Sequence, residues 1–329
     1  MRRGPLLVMP AFLLAAVSTY PQPAATRVAS WPAQAVIAHP LLPARQEEIR
    51  PPVVGEPAPV PRVVLGAQTT RPTVALTFDL DMTPDMAAAA RAGFQWINTD
   101  ATSYLESTNV HATLFMTGMW AEVYPAEARR LAGNPNFEIG NHSYSHPAFH
   151  SPCYRLGSVS RSAQTGQVQR AQQAIERVTG VAPKSFRVPG GCYDRTALDI
   201  VHAAGLIPVQ WNVNSIDAFN AYPQQIAATV LSGVKPGSIV VMHLMRANAP
   251  SSAAALRLII PALQRRGYEF VTVSELLAAG PAIQPTDPRE IVEAPPPPSA
   301  ATPTRRRGTP APRWCGWVSG TKGRSYICR

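Results

Sequence analysis

The segment ALTFDLDMTPD, residues 75–85, ends an apolar run with two carboxylates, Asp79 and Asp81. The apolar and β-branched residues before Asp79 are typical of a strand in the interior of a sheet. Side chains alternate between the two faces of a strand, so both carboxylates point to one side if the extended backbone reaches Asp81, and Leu80 points into the core. The segment therefore predicts a buried strand with functional side chains at its end.

Similar short runs recur along the middle of the chain. Seven strands are predicted, at 74–78, 111–116, 137–140, 184–188, 205–212, 237–243 and 269–273. Helical patterns at 84–97, 120–132, 164–179, 196–204, 224–231 and 253–266 separate most of them. This alternation predicts an α/β fold of parallel strands with crossover helices, and the functional sites of such folds gather at the carboxyl ends of the strands.

Most of the predicted strands end in side chains that are suited to catalysis. They are Asp79, Asp81, His142, His146, Arg187, Trp211, Asp217 and His243. Each alone has an ordinary explanation, because histidines often hydrogen-bond in cores and aspartates suit turns. Their shared placement at one end of the predicted sheet favours an active site. Two histidines four residues apart, as at 142 and 146, present their imidazoles to one side of a helical or tightly turned segment, which indicates a metal site.

Six motifs occur in the order found in a known family. They are TFDLD, HATLFMTG, NHSYSHP, FRVPGG, WNVNSID and PGSIVVMHLM, between about residues 73 and 279. This region resembles the polysaccharide deacetylases with a NodB-homology domain, carbohydrate esterase family 4. The resemblance implies a distorted (β/α) barrel with about seven parallel strands. It also implies metal-dependent removal of N-acetyl, sometimes O-acetyl, groups from glycans.

The resemblance also implies roles for the strand-end residues. Asp79 would be the general base, Arg187 would hold it, and His142 and His146 would bind the metal. His243 would be the general acid, oriented by Asp217. The backbone N–H of Gly190 would be the oxyanion donor, and Trp211 would contact substrate. Zinc is the expected metal, with cobalt, nickel or manganese as alternatives.

One departure from the family pattern leaves the third metal ligand open. The family usually has two adjacent aspartates, the second of which binds the metal, and Leu80 stands in that place. Asp81 is the natural substitute if the strand stays extended, and it is a solvated turn residue if the chain turns after Asp79. A third alternative is that Asp79 itself completes the site. The segment between Asp79 and His111 is also longer than usual by about one helix, and Leu244 replaces a polar residue.

The two ends of the chain differ from its middle. Residues 1–18, MRRGPLLVMPAFLLAAVS, predict a secretory signal peptide that is cleaved, or retained as an anchor. Residues 19–70 read as a Pro/Ala-rich linker, 71–280 as the catalytic domain, 281–313 as a Pro-rich basic linker and 314–329 as a small tail. We expect the Pro-rich tails to be disordered.

The net charge of +10 lies mostly in the ends of the chain. Basic minus acidic residues give six minus three for 1–70, sixteen minus fourteen for 71–280, and eight minus three for 281–329. A nearly neutral middle argues against nucleic-acid binding. The basic tails suit attraction to an anionic cell-wall polymer, and equally a solvated charge run. Contact with a membrane is expected only if the signal stays uncleaved.

Export makes the four cysteines candidates for disulfides. Cys315 and Cys328 would close the short tail, leaving Cys153 and Cys192 either as a second disulfide or as buried thiols. Together these features predict a secreted or cell-wall deacetylase of an N-acetylated glycan, such as peptidoglycan or a chitin-like polymer, that acts through metal-activated water. The alternative is a catalytically degenerate glycan-binding protein, which the leucine at position 80 favours.

Overall fold

The structure is a computed structural model that describes residues 63–285 and the backbone of two strands near the carboxyl end. The helices are α1 (Pro84–Arg91), α2 (Thr99–Ser107), α3 (Gly118–Val123), α4 (Pro125–Ala132), α5 (Arg161–Thr179), α6 (Arg195–Ala203), α7 (Pro223–Gly233), α8 (Ser252–Arg265) and α9 (Val273–Ala279). Within the described residues, none of these helices has the length and apolar character that crossing a bilayer requires.

The strands form one large sheet and a separate hairpin. They are β1 (Gly66–Ala67), β2 (Thr73–Leu80), β3 (Ala112–Met116), β4 (Phe137–Asn141), β5 (Ser185–Phe186), β6 (Ile207–Pro208), β7 (Val213–Asn214), β8 (Ser238–His243), β9 (Glu269–Phe270), β10 (Ala282–Ile283), β11 (Cys315–Gly320) and β12 (Gly323–Cys328). The large sheet has the order β10-β1-β8-β2-β3-β4-β5-β6, with β7 beside β8 and β9 beside β2. Its strands are parallel except at β1, which runs antiparallel to β8 and β10.

The fold is an α/β half-barrel with a curled, mostly parallel sheet, which confirms the predicted class. All seven predicted strands are present. The large sheet has three further strands that the sequence did not predict, β1, β7 and β10, each two residues long. The helix α2 lies in the segment that is longer than usual for the family.

The central strand β2 divides its side chains between two environments. All eight of its residues are buried. Leu76, Phe78 and Leu80 face the main core cluster, which the helices cover. Ala75 faces a second cluster on the other side of the sheet, and Asp79 follows it on that side at the end of the strand. The alternation predicted from the sequence is therefore the observed one.

Two predicted helices have different bounds in the structure. The pattern at 84–97 ends as a helix at Arg91, because Gly93 adopts a left-handed backbone with φ +97° and the chain then turns back. The Nε1–H of Trp96 donates to the carbonyl of Met86 in that turn. The pattern at 120–132 is two helices that meet at Tyr124, because Pro125 has no N–H to continue the first.

The folded region also extends beyond the predicted boundaries at 71 and 280. Val63 and Val64 are buried, and β1 pairs with both β8 and β10. The abundant prolines around this short apolar stretch obscure it in the sequence. Several predicted features lie outside the described residues: the signal segment 1–18, the linkers within 19–62 and 286–314, and the side chains of the carboxyl-terminal hairpin. The predicted disulfide between Cys315 and Cys328 is also outside them. In the hairpin backbone those two positions are opposite one another.

Candidate active site

Three potential metal ligands converge at the end of the central strand. Asp81, His142 and His146 each offer a donor atom, and these atoms lie within 4.8 Å of one another. Oδ1 of Asp81 is 3.4 Å from Nε2 of both histidines. Asp81 is buried, so it is not the solvated turn residue that the sequence left open. Leu80 is fully buried in the main core cluster, as alternation along the strand requires.

A tight turn after β4 brings the two histidines together. The residues between them are not helical; instead Ser143 and His146 adopt left-handed backbone conformations with φ values of +67° and +59°. The side-chain oxygen of Asn141 accepts from the N–H of Ser143, and Oγ of Ser143 accepts from the N–H of His146. The result is a separation of 4.9 Å between the two imidazole centres.

The donor set suits a divalent cation. Nδ1 of His142 lies 2.8 Å from the carbonyl oxygen of Arg187, which can only accept, so Nδ1 is the donor and Nε2 is the ring nitrogen that faces Asp81. Nε2 of His142 and Oδ1 of Asp81 are buried and form no hydrogen bond within the described part of the chain. Buried polar atoms normally have partners, and a cation would satisfy both. Two nitrogens and one carboxylate oxygen match zinc and similar ions.

The proton affinities of the donors agree with this interpretation. Burial would raise the pKa of Asp81, but the charges of His146, His142 and His243 outweigh it and hold the carboxyl pKa well below its ordinary value. Burial lowers the pKa of His146 to about 4 against the opposing effect of Asp81. At neutral pH the cluster therefore contains a carboxylate and a neutral imidazole, the forms in which these groups bind metals.

Asp79 lies beside this cluster but is held by a different partner. Its Oδ1 accepts from Arg187 at 2.8 Å, and its Oδ2 is 3.6 Å from Nε2 of His142. The side chain of Arg187 is fully buried and also donates to the carbonyls of Val209 and Gln210. The resemblance predicted this contact between Arg187 and Asp79, and the structure has it.

The guanidinium of Arg187 lies over an aromatic ring. Its central carbon is 4.0 Å from the ring centre of Phe115 on β3 and 5.5 Å from that of Trp211. Phe115 is opposite Asp79 in the register of β2 and β3, and Gly140 is opposite Phe115 on β4. A Cβ atom at residue 140 would lie only 2.4 Å from the Phe115 ring, so the glycine provides the space that this ring occupies.

His243 ends β8 directly opposite Asp79. Its Nδ1 is 2.8 Å from Oδ1 of Asp217, and its backbone N–H donates to Oδ2 of the same carboxylate. The hydroxyl of Ser252 also donates to that oxygen at 2.6 Å. The side chain of His243 is 19% exposed, whereas that of Asp217 is 1% exposed.

The partners of His243 determine its charge. Burial by itself would lower the imidazole pKa, but the charge and hydrogen bond of Asp217, with smaller effects from Asp81 and Asp79, raise it to about 10. Burial by itself would raise the pKa of Asp217, but the imidazole of His243 and the hydroxyl of Ser252 lower it. His243 is therefore held as an imidazolium, the form in which it can donate a proton.

The segment after β5 forms another wall of the site. Residues Pro189–Gly191 make a 3₁₀ turn, and Gly190 and Gly191 have φ values of +65° and +70°. The ring of Trp211 packs against Gly191, where a Cβ would lie 2.7 Å away. A disulfide joins Cys192 to Cys153, which decides between the two alternatives that the sequence left for this pair.

The structure brings together all eight strand-end residues named from the sequence, and Gly190 lies on the loop beside them. Sequence reasoning missed three supporting residues, Phe115, Gly140 and Ser252. The first two belong to predicted strands, and only their register with β2 relates them to Asp79. Ser252 begins α8, distant in sequence from Asp217, and no local pattern indicates that contact.

Comparisons with known proteins agree with this geometry. The family model for polysaccharide deacetylases matches residues 66–209. The peptidoglycan-N-acetylglucosamine deacetylase of Bacillus cereus is 31% identical over 208 residues, which cover 62% of this chain and 67% of the relative.

Solved structures with a similar fold include an enzyme and a pseudoenzyme. A family 4 acetyl xylan esterase from Clostridium thermocellum, in complex with a cobalt ion, has a TM-score of 0.52 and 29% identity, covering 67% of this chain and 96% of that one. A CE4 family pseudoenzyme from Bacillus anthracis has a TM-score of 0.56 and 25% identity, covering 67% of this chain and 70% of that one.

Proposed function

Because this chain belongs to the polysaccharide deacetylase family, we propose that it hydrolyses N-acetyl groups of a cell-wall glycan, with peptidoglycan as the preferred substrate. The observation that carries the proposal is the placement of Asp79 and His243. They are register partners on adjacent strands, one held by a cation and the other by an anion, beside a cluster that can bind a metal.

Asp81, His142 and His146 would hold a divalent cation, zinc in our proposal, with cobalt, nickel and manganese as alternatives. When bound, such an ion supplies a Lewis acid that polarises the amide carbonyl and acidifies water. Asp81 takes the place of the usual second aspartate. The fully buried leucine between Asp79 and Asp81 keeps both carboxylates on one face.

The chain's own residues move the protons. Asp79 accepts a proton from the attacking water, whose oxygen bonds to the carbonyl carbon of the acetyl group. His243 then donates its proton to the amide nitrogen as the C–N bond breaks, so acetate and a free amine leave. Arg187 holds and orients Asp79, and Asp217 keeps His243 protonated and oriented.

The walls of the site would bind the acetyl group and its sugar. The backbone N–H of Gly190 would donate to the carbonyl oxygen as that oxygen gains negative charge, a contribution that is commonly large in acyl transfer. Trp211, which packs on Gly191, would form one side of the pocket for the acetyl group. The aromatic residue usual in the family after this proline is replaced by Gly190 here, and Cys153 and Leu156 lie where its Cβ would be.

Secretion to the cell wall remains part of the proposal. The predicted signal at residues 1–18 supports export, and the disulfide between Cys153 and Cys192 is typical of oxidising compartments. The basic tails would hold the protein near anionic wall polymers, and deletion of residues 286–329 followed by a wall-retention assay tests that role.

The alternative function is glycan binding without hydrolysis, and the similar Bacillus anthracis pseudoenzyme is the observation that favours it. An acetate-release assay separates the two. The full chain would be stripped of metal, refilled with zinc, cobalt, nickel or manganese in turn, and given peptidoglycan and N-acetylglucosamine oligomers.

Hydrolysis predicts metal-dependent acetate release that falls by about 10²–10⁴-fold in Asp79→Asn, because the general base is lost while the shape is kept. Asp85→Asn, an exposed carboxylate at the start of α1, is the matched control and should retain activity. Retention on insoluble glycan with no acetate under any metal would reject hydrolysis and favour the binding function.

A further inference from the structure

Two exposed aromatic rings lie together at the mouth of the site. The rings of Tyr154 and Phe219 are 5.3 Å apart, centre to centre, with an angle of 34° between their planes. Tyr154 is 39% exposed and Phe219 is 49% exposed. Large aromatic side chains are usually buried, so an adjacent exposed pair indicates a binding surface.

Both rings are attached to segments that belong to the site. Tyr154 follows Cys153, whose disulfide to Cys192 fixes it beside the glycine turn, and its ring carbon would lie 3.5 Å from a Cβ at Gly190. Phe219 lies two residues after Asp217, and its N–H donates to the carbonyl of Ile216 in a tight turn. The pair therefore connects the wall near the proposed oxyanion donor with the wall that orients His243.

The loop that carries Tyr154 is fixed in place. The backbone of Ala148 pairs with residues 157–159, so the loop is closed at its base. Ala148, Cys153, Cys192 and Leu156 pack in a small apolar cluster beneath it. A ring held on such a loop loses little conformational entropy when it binds a ligand.

We propose that Tyr154 and Phe219 form a sugar-binding subsite that stacks on the pyranose ring next to the one that loses its acetyl group. The inference rests on the proposed function for the position of the reacting sugar. The apolar C–H face of a pyranose suits an aromatic ring, and the place of the pair at the rim of the site favours a neighbouring sugar of the same chain. The subsite gives the protein a preference for oligomers over single sugars.

The test is a direct measurement of binding. Calorimetry on the zinc-loaded full chain in an Asp79→Asn background, which prevents turnover, would compare the tetramer of N-acetylglucosamine with the monomer. We expect Tyr154→Ala and Phe219→Ala each to raise the Kd for the tetramer about fivefold, the effect of one aromatic contact, and to leave monomer binding unchanged. Tyr154→Phe keeps the ring and should bind like the parent.

Leu258→Ala is the matched control, because Leu258 is a large apolar side chain on α8 that is 41% exposed. Circular dichroism would verify that each variant is folded, and two independent alanine variants guard against the loss of one. An unchanged tetramer Kd in both alanine variants, or no tetramer binding by the parent, would overturn the subsite. So would a change confined to self-association in sedimentation, because the pair would then contact a second copy.

The outcome is separable from that of the proposed function. Acetate release by the unmodified chain tests hydrolysis, whereas the tetramer Kd tests the aromatic pair without any turnover. Ring-dependent tetramer binding without acetate would support the subsite and reject hydrolysis. Acetate release together with a tetramer Kd that neither alanine substitution changes would support hydrolysis and reject the subsite.

Discussion

Two ion pairs at the ends of neighbouring strands have opposite polarity. In the first, the carboxylate of Asp79 faces the site and Arg187 supports it from behind. In the second, the imidazole of His243 faces the site and Asp217 supports it. The supporting residue is the more deeply buried in each pair, with exposed fractions of 0% for the Arg187 side chain and 1% for Asp217. One pair therefore orients a proton acceptor, and the other keeps a proton donor charged.

The two supporting residues are themselves satisfied in different ways. Arg187 lies over the ring of Phe115 and donates to two backbone carbonyls, so its surroundings suit a cation. Asp217 accepts from an imidazole, a backbone N–H and the hydroxyl of Ser252, so its surroundings suit an anion. The sheet thus stabilises a buried cation behind one strand end and a buried anion behind the adjacent strand end.

Removing Arg187 should have the largest effect. Arg187→Met leaves Asp79 as a buried carboxylate without its cation, a change that typically costs about 3–5 kcal/mol of stability. We expect kcat to fall by about 10²–10⁴-fold because the base loses the side chain that orients it. Steady-state kinetics and urea unfolding measure the two effects.

The matched control for that change is Arg257→Met. Arg257 also lies over an aromatic ring, that of Tyr104 at 4.4 Å, but it is exposed on α8. It should change stability by less than about 1 kcal/mol. Equal losses in the two variants would show that aromatic stacking, rather than support of the base, explains the phenotype.

The second pair is broken by Asp217→Asn, which acts through the pKa of His243. Asp217 raises that pKa to about 10 in the wild type, so the imidazole is protonated below that pH. Without the carboxylate the lowering effect of burial prevails, the donor loses its proton at lower pH, and the alkaline limb of kcat/KM shifts to lower pH. A bound cation would lower the pKa in both proteins, which preserves the direction of the difference.

We expect a loss of about 10²-fold at pH 8, where the variant lacks its charged acid. Activity that recovers as the pH is lowered would identify the lost proton as the cause. A uniform loss with an unmoved alkaline limb would assign Asp217 a structural role instead. The pH dependence of kcat/KM between pH 6 and 10 distinguishes the two results.

Gly140→Ala tests whether the first pair can be disturbed on its own. The added methyl group would meet the ring of Phe115 and push it against Arg187. Overpacking of this kind costs about 1–3 kcal/mol. We expect kcat to fall about tenfold, the equivalent of 1.4 kcal/mol in the barrier, with no shift of the alkaline limb because His243 and Asp217 are unaffected.

Gly166→Ala is the control for Gly140→Ala. Gly166 lies within α5, and a Cβ there would meet nothing within 4 Å. Because alanine favours a helix over glycine by about 1 kcal/mol, this variant should be more stable and equally active. A shift of the alkaline limb in Gly140→Ala would contradict the independence of the two pairs.

The residues around the two ion pairs differ in how far the sequence could predict them. Strand alternation is a local rule, and it predicted that Asp79 and Asp81 share a face while Leu80 packs in the core. The roles of His243 and Arg187 required the resemblance of ordered motifs. The fit of Gly140 against Phe115 depends on the register of three strands, and no local pattern encodes that register.

The short strands β1 and β10 show the same limit at the edge of the sheet. Each has two residues and lies in a segment that was predicted to be a linker. Their surroundings are rich in proline, so composition predicted a linker there. Pairing with β8 and with each other, rather than any strong local preference, stabilises these strands.

The smallest expected effect concerns Ser252, which supports the second pair from one step further away. Its hydroxyl donates to Asp217 at 2.6 Å, but that carboxylate keeps two other donors from His243 in Ser252→Ala. Loss of one hydrogen bond to a charged group costs about 1.5–3 kcal/mol at most, and the remaining donors reduce it. We expect a twofold to fivefold fall in kcat/KM, on the order of 0.4–1 kcal/mol.

The direction of the accompanying pH shift is the informative part of that result. A less stabilised Asp217 carboxylate supports the imidazolium less well, so the alkaline limb should move to lower pH by less than in Asp217→Asn. Ser251→Ala is the control, because the neighbouring hydroxyl donates to the carbonyl of Ala221 and not to the pair. A shift as large as that of Asp217→Asn would mean that Ser252, not the imidazole, determines the charge of Asp217.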